Sequence, residues 1–174
     1  MTDHTPVDRR RPSPVILVGV EGGRPDTVLI SAADLARDLG CELVLAHVDL
    51  GRYIVEENAD GSVHSLPIDP DLPEFDEDTF DPELAAQIER VVGPTGVPWS
   101  LRVLAGDPAR ALGHLADAVN ARMIVVGTHE AGLRRGMREF FGGSVAVHLA
   151  HRQHRPVLVV PLSPLADEGD LPWE

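Results

Sequence analysis

Residues 127–144, GTHEAGLRRGMREFFGGS, hold the densest set of groups in this chain that could do chemistry. Five glycines, at 127, 132, 136, 142 and 143, are mixed with Arg134, Arg135 and Arg138 and followed by Ser144. Small residues let backbone approach a ligand closely, the unpaired N–H groups of a helix start point at an anion, and guanidinium forks add charge matched to phosphate. That combination is a phosphate cradle. Glu130 opposes it, because a carboxylate beside a polyphosphate is repulsive and its side chain blocks backbone approach.

Other residue types in the chain invite other chemistries. His148, His151 and His154 fall at three-residue steps with His129 upstream, but they close a helix with Arg152 and Arg155, where cations complement the helix dipole; no metal site is expected. His47 alternates with apolar neighbours and reads as a core or edge histidine. Ser144 stands at a helix start, so a cap or a phosphate contact is expected of it, and the Gly-x-Ser-x-Gly of a serine hydrolase is absent. Asp69 to Glu83 packs eight acids with no base, broken by three prolines; the spacing fails the calcium-loop pattern, and a solvated acidic loop is expected. The chain has no lysine, which excludes the P-loop lysine and Schiff-base chemistry.

The elements that must position the cradle can be read in order. Val15 to Val20 is a buried strand, and Glu21-Gly22-Gly23 turns into a helix with Val28, Ala32, Leu35, Ala36 and Leu39 inward and Gly40 as its stop. Glu42 to Asp49 is a second strand. Arg52–Glu56 and Ser62–Leu66 flank Asn58-Ala59-Asp60-Gly61, the pattern of a β-hairpin. Asp81-Pro82 starts a helix with Leu84, Ile88, Val91 and Val92 inward and Gly93 at its end. Pro98 to Leu104 is a strand, and Gly106-Asp107-Pro108 opens a helix with Leu112, Leu115, Ala116 and Val119 inward. Met123 to Val126 is a strand, a helix follows from near Gly143-Ser144, and Val157 to Val160 is the last strand. Alternating strands and helices predict an α/β fold: a doubly wound parallel five-stranded sheet, Rossmann-like, with an inserted hairpin and acidic loop at 50–81. One domain is expected over 14–162, with a disordered tail at 1–13 and an acidic one at 163–174. Ligands of such sheets sit beyond the strand C-termini where strand order reverses. Loops 20–25 and 127–144 would flank that crevice.

Gly127-Thr128-His129, then Gly143-Ser144-Val145 and Pro156-Val157-Leu158-Val159-Val160, resemble the C-terminal signature of the universal stress protein family. Its nucleotide-binding members carry Gly-x2-Gly-x9-Gly-Ser/Thr. Here Glu130 stands where the second glycine belongs, and twelve residues separate it from Gly143. Taking Gly132 instead restores nine residues before Gly142, but Gly142 is followed by Gly143, not Ser. The resemblance implies an adenine-nucleotide alpha hydrolase-like fold and an adenine nucleotide, ATP with Mg2+, as ligand. It implies a site made of Val20, Glu21 and Gly22, of Val48 against the base, and of Gly127, His129, Gly143, Ser144 and Val145 around the phosphates, with Arg134 and Arg135 supplying the charge the motif has lost. It also implies a homodimer through Val157, Leu158, Val159 and Val160.

The net charge of −13 argues against nucleic acid or an anionic membrane as partner. A single Cys41 and the absence of any long apolar run fit a cytoplasmic protein. Two function classes remain: a dimeric stress-response module that binds ATP, with at most slow hydrolysis, and a structural or regulatory dimer of the same fold that binds no nucleotide.

Overall fold

The computed structural model describes residues 13–69, 80–128 and 145–162. In chain order its elements are β1 (Val15–Val20), α1 (Thr27–Leu39), β2 (Glu42–Asp49), β3 (Arg52–Glu57), β4 (Val63–Pro67), α2 (Pro82–Val92), β5 (Trp99–Ala105), α3 (Pro108–Ala118), β6 (Ala121–Gly127), α4 (Val145–Arg152) and β7 (Val157–Val160). Five strands form one sheet in the order β5-β2-β1-β6-β7, every pair parallel. The hairpin β3–β4 is a separate antiparallel pair. This is the doubly wound sheet with inserted hairpin that the alternation predicts.

Apolar side chains leave both faces of the sheet. Ile16, Val18, Leu43, Leu45 and Val125 pack beneath α1 and α2, with Ile88 and Val92 among their partners. Leu17, Val44, Ala46, Ile124 and Val126 pack beneath α3 and α4, against Leu112, Leu115 and Leu149. Each fully buried leucine or isoleucine contributes about 1.5–3 kcal/mol, which is why the β1, β2 and β6 runs are apolar at nearly every position. Gly19 lets α3 close on the sheet: a Cβ there would lie 3.1 Å from Leu112 Cδ1 and 3.2 Å from Val126 Cγ1.

Helix starts follow local capping. The Asp81 carboxylate accepts from the Glu83 and Leu84 amides ahead of Pro82, and the Asp107 carboxylate accepts from the Arg110 amide ahead of Pro108. Gly40, at φ 62°, ends α1. Three details differ from the sequence reading. Leu39 is 38% exposed rather than inward, because it occupies the last turn of α1, outside the stripe formed by Val28, Leu29, Ala32, Ala33 and Ala36. Val91, like Leu35 of α1 and Val119 after α3, is only partly buried, packed against the edge of the core. Gly93 does not end α2: at φ −49° it carries the chain on through a 3-10 turn, Gly93–Thr95, and the left-handed stop is Gly96 at φ 73°.

The hairpin lies on α3. Its turn places Gly61 so close to that helix that a Cβ would meet Leu115 Cδ1 at 2.6 Å and Ala118 Cβ at 3.0 Å. Val63 joins the core on that side, and His114 of α3 pairs with Glu57 of β3 at 2.9 Å. Within the hairpin, the Arg52 guanidinium donates to the hydroxyl and carbonyl of buried Ser65, at 2.9 and 2.6 Å.

Candidate functional site

The chain runs β1, β2, β5 toward one edge of the sheet, then returns to β6 and β7 on the other side of β1. The reversal therefore falls between β1 and β6, and the crevice beyond their C-terminal ends is where an open parallel sheet takes a ligand. Val20, Glu21 and Gly22 leave β1 there, and Gly127 is the last residue of β6. Val48 lies near the end of β2, beside β1. Val145 is the first residue of α4. His129, Arg134, Arg135, Gly143 and Ser144, with Glu130 and Arg138, lie outside the described residues.

The described members divide between the two faces of the sheet. Val20 and Gly127 border the α1/α2 layer, whereas Val48 and Val145 pack on the α3/α4 layer. A ligand touching all four would straddle the top edge of the sheet. Gly127 is closely covered on its side: a Cβ would lie 3.1 Å from both Leu162 Cδ1 and Val28 Cγ2. Leu162 is fixed there because its amide donates to Thr128 Oγ1 at 2.9 Å, while the Thr128 amide donates to the Val160 carbonyl at 2.8 Å.

Glu21 is engaged by its own loop, its carboxylate lying 2.9 Å from the Arg24 guanidinium. His47, near the end of β2, is half-buried and held by two neighbours. Its Nδ1–H donates to the Val20 carbonyl oxygen at 3.2 Å, which fixes the Nδ1 tautomer, since a carbonyl can only accept. The Phe80 ring meets His47 edge-on, with centroids 6.3 Å apart and planes at 73°. The sequence reading expects His47 in the core or at an edge; it is partly buried on the inner strand β2, and its alternation gave no sign of a partner on another strand.

Asp81, expected only to start a helix with Pro82, also lies against the loop after β1. Asp81, at the start of α2, turns Oδ2 toward Gly22, 3.3 Å from where a Cβ on that glycine would stand. Gln87 of α2 donates to the Arg24 carbonyl at 2.9 Å and to Asp26 at 2.7 Å, so α2 is bolted to the loop that follows β1.

Among the described residues, no three His, Cys, Asp or Glu side chains gather as a metal would need. His148 and His151 lie on α4, and His154 follows its end. Among the described residues, no helix is long and apolar enough to cross a membrane.

The universal stress protein family profile matches residues 14–161. The stress response protein NhaX of Bacillus subtilis (strain 168) is 26% identical over 83% of this chain and 96% of its own length. Among solved structures, a universal stress protein in complex with cAMP superposes with a TM-score of 0.55 at 22% identity, over 88% of this chain and all of its own. The universal stress protein from Archaeoglobus fulgidus in complex with dAMP gives 0.52 at 20% identity, over 86% of this chain and 99% of its own. At these identities the two structures speak for the fold, and the profile for the kinship. With five parallel strands whose order of addition reverses between β1 and β6, and a family profile matched over residues 14–161, this chain belongs to the universal stress protein family.

Proposed function

We propose that this protein is a stress-response module that binds an adenine nucleotide, ATP with Mg2+, in the crevice between β1 and β6 and works as a homodimer. The observation that carries the reading is the switch point itself: the sheet reverses between two strands that both end in glycine-containing loops. The structures in complex with cAMP and dAMP support it, since both share this fold. The arginines of 129–144 would carry the phosphate charge, and Glu130 would weaken the site, giving dissociation constants on the order of micromolar or looser.

Calorimetry with ATP, ADP and AMP tests this. Glu130→Gly should tighten ATP, and joint replacement of Arg134, Arg135 and Arg138 by Ala should weaken ATP more than adenosine, which lacks phosphates. No heat for any nucleotide with either the unmodified protein or Glu130→Gly sinks the nucleotide reading.

One observation favours the second class, a dimer of the same fold without nucleotide. Leu162 and Val28 close over Gly127, so on that face the glycine serves side-chain packing. The same calorimetric result would establish this reading in place of the first.

A further inference from the structure

The opposite end of the sheet, where β1, β2 and β6 begin, carries a cavity of about 620 Å³. Small-molecule sites commonly enclose about 300–1,000 Å³. Residues in register on parallel strands share a face, which fixes what lies in it. Val44 pairs with Ser100 and Ala46 with Arg102, while Val15 pairs with Glu42 on one side and Ala121 on the other. Val15, Val44, Ala46 and Ala121 belong to the α3/α4 layer, so Glu42, Ser100 and Arg102 are on that face too. α3 ends at Ala118, and the cavity occupies the corner between its exit and the edge strand β5. Asn120 walls that corner at φ 48°, a left-handed conformation that asparagine tolerates. The next carbonyl, of Ala121, accepts from Arg155 Nε at 2.7 Å, so the wall is fixed in place.

Two guanidiniums line this cavity against one carboxylate, Glu42, a local reversal of sign in a chain of net charge −13. Arg102 comes from β5 and Arg122 from the start of β6, with β2 and β1 between them. Among the described residues neither is in an ion pair; Arg122 makes no side-chain hydrogen bond, and Arg102 donates to the carbonyl of its neighbour Leu101 at 2.8 Å. Asp60 of the hairpin turn feels the Arg102 charge, but its carboxylate already accepts from the Ser62 amide and hydroxyl, at 3.0 and 2.7 Å. Residues 1–12 carry three arginines and two aspartates, the wrong balance to neutralise the cavity.

We propose that this cavity is a second small-molecule site and that it takes an organic diacid, with one acidic group toward each arginine. A guanidinium fork matches a carboxylate in shape and charge. Three strand spacings put the two arginine backbones roughly 14 Å apart across the sheet. Arg102 is also level with Ala46, whereas Arg122 follows Ala121, which Val15 links to Glu42; that adds an offset of about 10 Å along the strands. A single acidic group therefore does not serve both. Glu42 stands between them on β2 and repels an acid in the middle, where Val15 and Val44 offer an apolar floor to a hydrocarbon spacer.

The test titrates the full chain with adipate, suberate and the one-headed control hexanoate, followed by amide NMR. One of the diacids should bind about tenfold more tightly than hexanoate. It should shift the amides of Val44, Ser100 and Asn120 to Arg122, and leave those of Val20 to Gly22 and Gly127 in place. Arg102 and Arg122 are half-exposed and exposed, so Arg102→Gln and Arg122→Gln should keep the parent's melting midpoint. Each should bring the diacid down to the affinity of hexanoate, and Glu42→Gln should tighten it several-fold. Equal binding of diacids and hexanoate, no binding of any of them, or an unchanged preference in either arginine variant overturns the assignment. Shifts confined to the Val20 and Gly127 end of the sheet overturn it as well. The nucleotide reading concerns the other end of the strands and stands or falls separately.

Discussion

Arg90 of α2 donates to Asp26 across 64 positions of sequence, from Nη1 to Oδ2 at 3.0 Å and from Nη2 to Oδ1 at 3.2 Å. Gln87 adds a third bond to the same carboxylate at 2.7 Å. These donors, Arg90 first, hold the Asp26 carboxyl below its ordinary 3.8. The pair thus joins the loop after β1 to a helix that enters the fold much later.

Arg90→Ala should therefore lower the melting midpoint near neutral pH, by about 1–3 °C for so exposed a pair. Because the folded carboxyl lies below the unfolded one, its stabilisation is complete above 3.8 and is lost as pH falls through the lower folded value. The gap between parent and variant should be flat from pH 5 to 8 and shrink on acidification. A gap that persists undiminished to pH 2 would show that the arginine acts through packing and not through charge.

Gly61→Ala should be among the costlier single changes outside the core. Its φ of 80° strains any L side chain, and its Cβ would strike Leu115, a side chain only 1% exposed. Overpacking and backbone strain together suggest about 2–4 kcal/mol. Gly23→Ala is the control: φ is 72° but nothing lies within 4 Å, so the backbone term of about 1–2 kcal/mol stands alone. Equal losses in urea titrations would argue that the hairpin does not rest on α3.

The last strand should mediate self-association. Among the described residues β7 pairs only with β6, and Leu158 and Val159 on it are 41% and 40% exposed. An apolar edge with unpaired backbone groups is satisfied by the same strand of a two-fold partner. Val159→Asp is expected to yield monomers or insoluble protein. Light scattering that returns the mass of one chain for the unmodified protein at micromolar concentration would refute this.

Much of the architecture was legible because its signals are local. Apolar runs such as Val15–Val20 and Met123–Val126, and the Asp-Pro starts at 81 and 107, each act within a few residues. The Asn58–Gly61 turn belongs with them. Gly93 misled because a glycine permits a left-handed stop without requiring one, and the 3-10 turn used Gly96 instead. The site was legible in outline only. The glycines at 22 and 127 mark the C-terminal ends of β1 and β6, but the approach of Asp81 to Gly22 and the bond of His47 to Val20 join segments that meet only through the order of strands. The cover of Leu162 over Gly127 was hidden for the same reason, since Leu162 stands at the last position of the expected domain with no local signal of a partner.

The seat of the hairpin on α3 bears on the order in which the molecule assembles. The strands of the hairpin are neighbours in sequence and can pair early, on a microsecond scale. Their docking surface, Leu115 and Ala118, is synthesised some fifty residues later and exists only once α3 has closed on the sheet. Attachment of the hairpin is thus expected to follow the rate-limiting step. In stopped-flow measurements Gly61→Ala should accelerate unfolding and leave the refolding rate nearly unchanged. A matching loss in the refolding rate would instead put the hairpin in the folding nucleus. A segment that joins last can vary in length and sequence without disturbing how the parallel sheet forms, which is how an insertion of this kind is tolerated between two strands of the core.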